Sequence, residues 1–313
     1  MPIIRAEGVT YGVTDLADCS RFLADMGLLP GEPISDKPMP DGGAIFRTPV
    51  NQFIRLVAAD SKTEPPALTG GSAVREVLWG VDTPESLEAI ARDLERDHTV
   101  RRDSDGGVHA TDPVGFGLGF VLARPVEVTV APVHYNVSGQ VNRWNCGQTP
   151  SERPQPLKII HVALNITKAA QPAARAFYTE RLKFKPVDEV EGVGVFLQCE
   201  GDFQHHNLFL CHRPDRATIN HLAFETPDFD NVIRAGEHMA ALGWKESRRL
   251  GRHIMGSNVF RFFHSPCGGR IEFAADMDRM NKDFQTRHWP KHPGHHIYMM
   301  KSPLPAPEPS TAD

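Results

Sequence analysis

Residues 226–243 read TPDFDNVIRAGEHMAALG, and the chain contains the pattern of this segment twice, which points to a repeated fold. A Thr-Pro opening precedes apolar residues at helical spacing, and Gly243 closes the segment, as glycine often does after a helix. Residues 83–94, TPESLEAIARDL, repeat the opening and the apolar stripe. The repetition predicts that one structural unit is used more than once.

Predicted strands surround both helices. Residues 112–120 and 265–273 each read as a turn with proline and glycine that leads into an apolar strand. Earlier in each half, residues 11–27 and 164–182 also pair, as the end of a strand followed by a helical stripe. The sequence therefore predicts an α+β protein of four βαβββ units, placed near residues 5–60, 74–123, 157–212 and 218–276.

The length of 313 residues suits two domains of about 150 residues each. We predict an N-terminal domain over residues 1–124, a proline-rich linker over 125–156, a C-terminal domain over 157–276 and a tail over 277–313. The tail is rich in histidine. It is interpreted equally well as a lid over a pocket or as a segment for packing and subunit contact.

The composition is typical of a soluble globular protein, with 40% hydrophobic and 23% charged residues. A net charge of −5 gives no reason to expect nucleic acid or an anionic membrane as partner. We see no apolar run long enough to span a bilayer and no signal peptide at the start. The five cysteines lack CxxC spacing and are interpreted as free thiols, so we expect a cytoplasmic protein.

Three side chains in predicted strands of the second half have metal-binding chemistry: His161, His221 and Glu272. Two imidazoles and one carboxylate are the ligand set of a mononuclear non-haem iron(II) site, which leaves the opposite face of the metal open. If the three side chains converge, the protein is an enzyme of oxygen chemistry.

The N-terminal half serves as a control for this hypothesis. When the two halves are aligned on their Thr-Pro pairs and turns, Gly8, Leu78 and Gly119 take the places of the three candidate ligands. Histidines needed only for packing would have no reason to disappear together with a glutamate. We therefore predict a single metal site, in the C-terminal domain, and an N-terminal domain without metal.

The C-terminal half resembles the type I extradiol (catechol meta-cleaving) dioxygenases of the vicinal oxygen chelate superfamily, which also contains glyoxalases and bleomycin resistance proteins. The family signature has a histidine, a tyrosine nine positions later, a proline four further on and a ligand glutamate six beyond that. His253, Phe262, Pro266 and Glu272 have this spacing, with phenylalanine in place of the tyrosine. The resemblance covers most of residues 157–276. The segments 160–162, 204–207 and 220–222 also match the family.

The resemblance implies that each pair of units curls its sheet into an open barrel, the vicinal oxygen chelate fold. The C-terminal barrel would hold Fe(II), or Mn(II) as the alternative, on His161, His221 and Glu272. His206 would be the acid/base that serves the bound oxygen, and His253 would hydrogen-bond a substrate hydroxyl. Family members are commonly homo-oligomers.

Three further positions complete the predicted site. Arg248 stands where some relatives bind a substrate carboxylate, Asn165 is expected to line the pocket, and Phe262 lacks the hydroxyl that usually contacts substrate. Strand alternation would place His205 on the opposite face from His206, at the surface.

We therefore expect an oxidoreductase that cleaves a catechol-type aromatic diol with both atoms of O2, in the degradation of aromatic compounds. Cleavage of a hydroquinone or trihydroxylated ring stays open as an alternative because of Phe262. A metal-dependent lyase or isomerase of the glyoxalase kind would need a second carboxylate ligand. A small-molecule-binding resistance protein would have no use for a complete ligand set.

Overall fold

A computed structural model describes residues 2–31, 42–131, 133–148 and 155–301. The first sheet contains eight strands in the order β2-β3-β4-β1-β5-β8-β7-β6 and the second contains ten in the order β17-β10-β11-β12-β9-β13-β16-β15-β14-β18. The N-terminal elements are β1 (Ile3–Val13), α1 (Leu16–Asp25), β2 (Leu29–Pro30), β3 (Ala44–Arg47), β4 (Phe53–Ala58), β5 (Ala73–Val81), α2 (Pro84–Leu94), β6 (Arg101–Arg102), β7 (Val108–Thr111) and β8 (Gly117–Leu122).

The C-terminal elements repeat the order and add two strands. They are β9 (Lys158–Thr167), α3 (Gln171–Ala176), β10 (Lys185–Val190), β11 (Gly194–Gln198), β12 (Leu208–Arg213), β13 (Thr218–Glu225), α4 (Phe229–Ala241), β14 (Glu246–His253), β15 (Val259–His264), β16 (Arg270–Ala275), β17 (Arg287–Trp289) and β18 (His296–Met299). A π-helical turn, Phe177–Arg181, continues α3. The predicted α+β class with two βαβββ units in each sheet is confirmed.

The helices begin at side chains that cap their free backbone N–H groups. The hydroxyl of Thr83 accepts from the N–H of Ser86 at the start of α2, and the carboxylate of Asp228 accepts from the N–H of Asn231 at the start of α4. Both helices pack one apolar face on a sheet; the buried residues are Ile90, Ala91 and Leu94 in α2, and Val232, Ala235, Gly236 and Met239 in α4.

These caps correct the alignment of the repeats. Thr83 corresponds to Asp228 and not to Thr226, so matching the Thr-Pro pairs was wrong by two residues. The strands agree, because Leu78 pairs with both Gly8 and Gly119. In the second sheet, Ala223 occupies the corresponding position, because it pairs with both His161 and Glu272.

Glu76 lies two residues before Leu78, and His221 lies two residues before Ala223. The N-terminal position equivalent to His221 is therefore Glu76 and not Leu78. Glu76 is buried, and its Oε1 lies 2.8 Å from Nδ1 of His109, whose Nε2 lies 3.0 Å from Asp103. These three residues form an ionic cluster in which Glu76 and His109 are buried and Asp103 is partly exposed. Gly8 and Gly119 thus take the places of His161 and Glu272, Glu76 takes that of His221, and an N-terminal domain without metal stays a prediction.

A shared core joins the two domains. Trp79 of β5 and Phe184, just before β10, are fully buried and meet edge to face at 4.9 Å between ring centroids. The amide of Gln52 donates to the carbonyl groups of Ala6 and Ile159, and its oxygen accepts from the N–H of Ile159. Apolar burial and buried hydrogen bonds thus fix the two sheets against each other.

The tail adds a strand to each edge of the second sheet. Strand β17 pairs with β10 in parallel and β18 pairs with β14 in antiparallel orientation. No helix in the described part of the chain has both the length and the apolar character for crossing a bilayer.

Candidate metal centre

Three neighbouring strands bring the candidate ligands together. Ala223 of β13 pairs with His161 of β9 on one side and with Glu272 of β16 on the other. His221 lies two residues before Ala223, so its side chain is on the same face of the sheet. The fold therefore places two imidazoles and one carboxylate side by side.

The three donor atoms lie close together on one face of the sheet, and all three residues are buried. Nε2 of His161 lies 2.9 Å from Nε2 of His221, and the Oε2 atom of Glu272 lies 3.2 and 3.3 Å from these two nitrogens. Among the described residues, Glu272 Oε2 has no well-directed hydrogen-bond donor. A buried carboxylate oxygen facing two imidazole nitrogens is expected to be compensated by a cation, so the residues fit a divalent metal ion.

The protonation states are those that metal binding requires. Burial lowers the pKa of the His221 imidazole to about 3, so that it is neutral at physiological pH. Burial alone would raise the pKa of the Glu272 carboxyl, but the imidazoles of His161, His221 and His253 hold it well below its usual value. The site thus presents a neutral imidazole at His221 and an ionised carboxylate at Glu272.

The tautomer of His221 is fixed by its neighbour in the sequence. Nδ1 of His221 lies 2.8 Å from Oδ1 of Asn220, which also accepts a hydrogen bond from Arg270. Because arginine can only donate, this atom of Asn220 must be the oxygen, and His221 Nδ1 must carry the proton. The Nε2 lone pair is then free to bind a metal. The amide nitrogen of Asn220 donates to Asn165, which donates to Thr218.

The second oxygen of Glu272 is also held. Oε1 accepts from the amide of Asn258 at 2.9 Å and lies 3.5 Å from Nε2 of His253. The ring of His253 stacks on Phe260 at 4.1 Å, and its Nδ1 lies 3.1 Å from the backbone oxygen of His295. These contacts fix the ring so that Nε2 faces the candidate metal site.

His206 lies against the ligands. Its buried ring is 4.2 Å from the ring of His161, and burial lowers its pKa well below the usual value, with a further lowering by His161. Its Nδ1 is 3.0 Å from Nδ1 of His205, whose Nε2 is 2.8 Å from Asp188. A neutral imidazole in a fixed orientation is suited to exchanging one proton.

The prediction for His205 was wrong. Both histidines lie in the bend before β12, so strand alternation does not apply, and the His205 side chain is fully buried. It binds Asp188, which also accepts hydrogen bonds from Arg287 and Trp289 of β17. Burial would raise the pKa of the Asp188 carboxyl, but His205, Arg287 and Trp289 together lower it to about 2. The tail strand thus supports His206 through two intermediate side chains.

Phe262 and two arginines border the site. The buried ring of Phe262 is 5.1 Å from that of His221 and 6.0 Å from that of His253. The guanidinium carbons of Arg248 and Arg270 lie 5.4 and 5.0 Å from the centre of the Phe262 ring. Burial, with repulsion from Arg248, lowers the pKa of Arg270 to about 10.

The structure therefore brings His161, His221, Glu272, His206 and His253 together, with Phe262 and Arg248 beside them. Asn165 contacts this group through Asn220. The sequence reasoning missed the supporting residues, which are Asn220, Asn258, Asp188 and Arg270. The position of Asn220 directly before a candidate ligand was the one signal available, because the other supporting contacts depend on tertiary pairing.

Comparison with known proteins agrees with this arrangement. A family described as Glyoxalase/Bleomycin resistance protein/Dioxygenase superfamily matches residues 158–273. Metapyrocatechase 2 from Cupriavidus necator is 31% identical over 127 residues, which are 41% of this chain and 39% of the relative. The chain thus matches well under half of that relative's length.

Two solved structures share the fold along nearly the whole chain. BphC, a halotolerant catechol dioxygenase, has a TM-score of 0.72 at 16% identity, covering 96% of this chain and 95% of the other. The Mn(II)-bound glyoxalase from Novosphingobium aromaticivorans has a TM-score of 0.70 at 21% identity, covering 93% and 89%. Residues 158–273 are thus similar to the glyoxalase/bleomycin resistance protein/dioxygenase superfamily, and the predicted resemblance to the type I extradiol dioxygenases is confirmed.

Proposed function

We propose that the protein is an Fe(II)-dependent extradiol dioxygenase that cleaves a catechol-type aromatic diol with both atoms of O2. The observation that carries the proposal is the meeting of His161, His221 and Glu272 donor atoms, all within 4.8 Å of one another in a buried site. Two histidines and one carboxylate leave further coordination positions for a diol and O2. Metapyrocatechase 2 supports the same reaction class by its name and its 31% identity.

The metal is the first part of the proposal. Fe(II), or Mn(II) as the alternative, would be held by Nε2 of His161, Nε2 of His221 and the Glu272 carboxylate. When bound, it supplies oxygen activation and a positive charge that favours a deprotonated diol. Two neutral imidazoles and one carboxylate leave a net single positive charge at the ligand set of a divalent ion. That charge is matched to a singly deprotonated diol.

The protein residues bind, orient and exchange protons. His253 directs Nε2 toward the site and would hydrogen-bond one substrate hydroxyl. His206, neutral because it is buried, would take a proton from the reacting oxygen groups and return it. Phe262 forms an apolar wall, and the burial of the three candidate ligands and of His206 excludes water. Arg248 would bind an acidic ring substituent.

Phe262 bears on the choice of ring. A tyrosine at this position would offer a hydroxyl to the substrate, and phenylalanine cannot. A hydroquinone or a trihydroxylated ring is therefore the second candidate substrate, on the same residues.

A glyoxalase-type lyase or isomerase is disfavoured although the Mn(II)-bound glyoxalase shares the fold. That reaction would need a second carboxylate ligand. Within the described residues, the group able to bind one metal ion contains Glu272 as its single carboxylate. We further propose a homo-oligomer in the cytoplasm that acts in the degradation of aromatic compounds, without nucleic acid or membrane as partner.

The test is to load the protein anaerobically with Fe(II), and separately with Mn(II), and to admit air with a panel of catechols, hydroquinones and trihydroxybenzenes. The expected result is uptake of one O2 per ring and the near-visible absorbance of a ring-opened product. The matched control is the His206→Asn variant, which keeps the proposed metal ligands and lacks the proposed proton-transfer group. It reports any O2 uptake that the bound metal causes alone. Full metal loading with no O2 uptake on any ring, or turnover of a methylglyoxal thiol adduct instead, would contradict the proposal.

A further inference from the structure

A cavity of about 510 Å³ lies between the two domains, behind the candidate metal centre. The N-terminal domain contributes Ser72 and Phe116 to its wall, and the C-terminal domain contributes Arg213, Arg216 and Arg270. Thr218 and Asn220 also line it, so hydroxyl and amide groups stand among the arginines. Its wall is thus basic and rich in hydrogen-bond donors.

The arginines of this cavity lack anionic partners. Elsewhere in the same sheet, Arg252 and Arg261 each lie 2.8 Å from a carboxylate oxygen. In the chain as described, no aspartate or glutamate oxygen comes within 4.0 Å of the guanidinium nitrogens of Arg213, Arg216 or Arg270. Arg270 is partly buried, and Arg213 and Arg248 repel it. Partly buried cations that repel one another are stabilised when an anion joins them.

Hydrogen-bond donors remain available for such an anion. Each guanidinium group offers five N–H donors. Arg213 uses one nitrogen, on the carbonyl oxygen of His212, and Arg270 uses two, both on Asn220. Guanidinium groups bind carboxylate and phosphate through paired hydrogen bonds, which neutral molecules cannot match.

We propose that this interdomain cavity binds a small oxyanion, a carboxylate or a phosphate group, on Arg213, Arg216 and Arg270. The anion has two sources: the acidic substituent of a ring substrate, or a free anion that joins the two domains. The site is close to the catalytic residues, because Asn220 lines the cavity and also binds His221 Nδ1. The proposal does not depend on ring cleavage, since the unpaired arginines are a feature of the folded chain.

The experiment is equilibrium binding by calorimetry to the full-length, metal-loaded protein without oxygen and at constant ionic strength. The probes are inorganic phosphate, benzoate, 3,4-dihydroxybenzoate and its neutral methyl ester. The variants are Arg213→Met and Arg216→Met. Arg249→Met is the matched control, because Arg249 lies near Glu246 and does not line the cavity.

We expect saturable binding of at least one anionic probe, weakened about 10-fold or more in each cavity variant and unchanged in the control, the scale of a lost hydrogen bond to a charged group. If the dihydroxybenzoate binds more tightly than its ester and Arg213→Met removes the difference, the anion is the substrate's own acid group. If phosphate or benzoate binds while acid and ester are equal, the anion is a free one. Both outcomes support the site.

Absence of saturable binding for all three anionic probes would overturn the proposal. Equal affinities in Arg213→Met, Arg216→Met and Arg249→Met would overturn it as well. A protein that binds the anions but consumes no O2 with any diol keeps this site and loses the proposed dioxygenase activity, so the two failures are distinguishable.

Discussion

Oδ1 of Asn220 lies 2.8 Å from Nδ1 of His221, so the residue immediately before a candidate metal ligand sets the tautomer of that ligand. The same oxygen accepts from Arg270. The candidate metal site is therefore prepared by the fold before any ion binds, at a residue that the family signature does not include.

Asn220→Ala removes this acceptor. We expect the affinity for Fe(II) to fall about 10- to 100-fold, because partners that orient a ligand histidine contribute on that scale. The measurement is competition with a chelator of known affinity. Asn220→Asp keeps the acceptor and should retain most of the affinity. Equal metal affinities in Asn220→Ala and the wild type would show that Asn220 does not support His221.

His206→Asn should leave metal binding intact, because the metal-binding group is His161, His221 and Glu272. We expect kcat to fall roughly 100-fold or more, the scale of a lost proton-transfer group. Metal analysis and steady-state kinetics on the same sample check both parts. Full activity would remove His206 from the mechanism, and loss of metal would move it into the ligand set.

Phe262→Tyr introduces the tyrosine hydroxyl that the family signature has at this position. The variant should fold normally, because Phe262 lies beside polar groups, including His253 and two arginines, that can form a hydrogen bond with the new hydroxyl. We expect a higher rate on plain catechol, measured beside the wild type at equal iron content. An unchanged rate on every ring tested would separate this position from substrate choice.

The fold was predictable because local sequence patterns mark its helices and strands. The Thr-Pro openings, the apolar stripes and the glycines predicted four units correctly. The register between repeats was not predictable from the Thr-Pro pairs, since the helix caps are Thr83 and Asp228, each five residues after the equivalent strand residue, Leu78 or Ala223. No local pattern reports this register, because the second Thr-Pro pair resembles the first but lies two residues nearer the strand.

The convergence of the three candidate ligands was predictable from the sequence, and the residues that support them were not. His161, His221 and Glu272 carry a chemical signature and a family spacing. His205 read as a surface residue because its partner Asp188 lies on β10, and the residues that hold Asp188 come from the distant β17. Arg270 carried no sequence signal, because its contact with Asn220 depends on the pairing of β13 with β16.

The buried cluster of the N-terminal domain predicts a pH dependence of stability. Burial alone would lower the pKa of His109, but the carboxylates of Glu76 and Asp103 raise it above its usual value. A raised folded-state pKa stabilises the protein fully below the unfolded-state pKa of about 6.5, and this stability is lost as pH rises through the folded-state pKa.

Urea unfolding at a series of pH values checks this. Relative to His109→Gln, the wild type should lose free energy of unfolding as pH rises above about 6.5. His134→Gln is the control, because His134 is exposed in the linker. Parallel pH curves for the wild type and His109→Gln would contradict the account.

The most direct test is the stoichiometry of Fe(II) binding to the wild type and to Glu272→Ala under anaerobic conditions. Glu272 supplies the one carboxylate of the cluster, and its Oε2 faces both imidazoles at 3.2 and 3.3 Å. We predict one bound Fe(II) per chain in the wild type, and loss of both the metal and ring cleavage in the variant. An iron-replete Glu272→Ala protein, or a wild type that takes up no transition metal, would contradict the metal centre on which the proposed function depends.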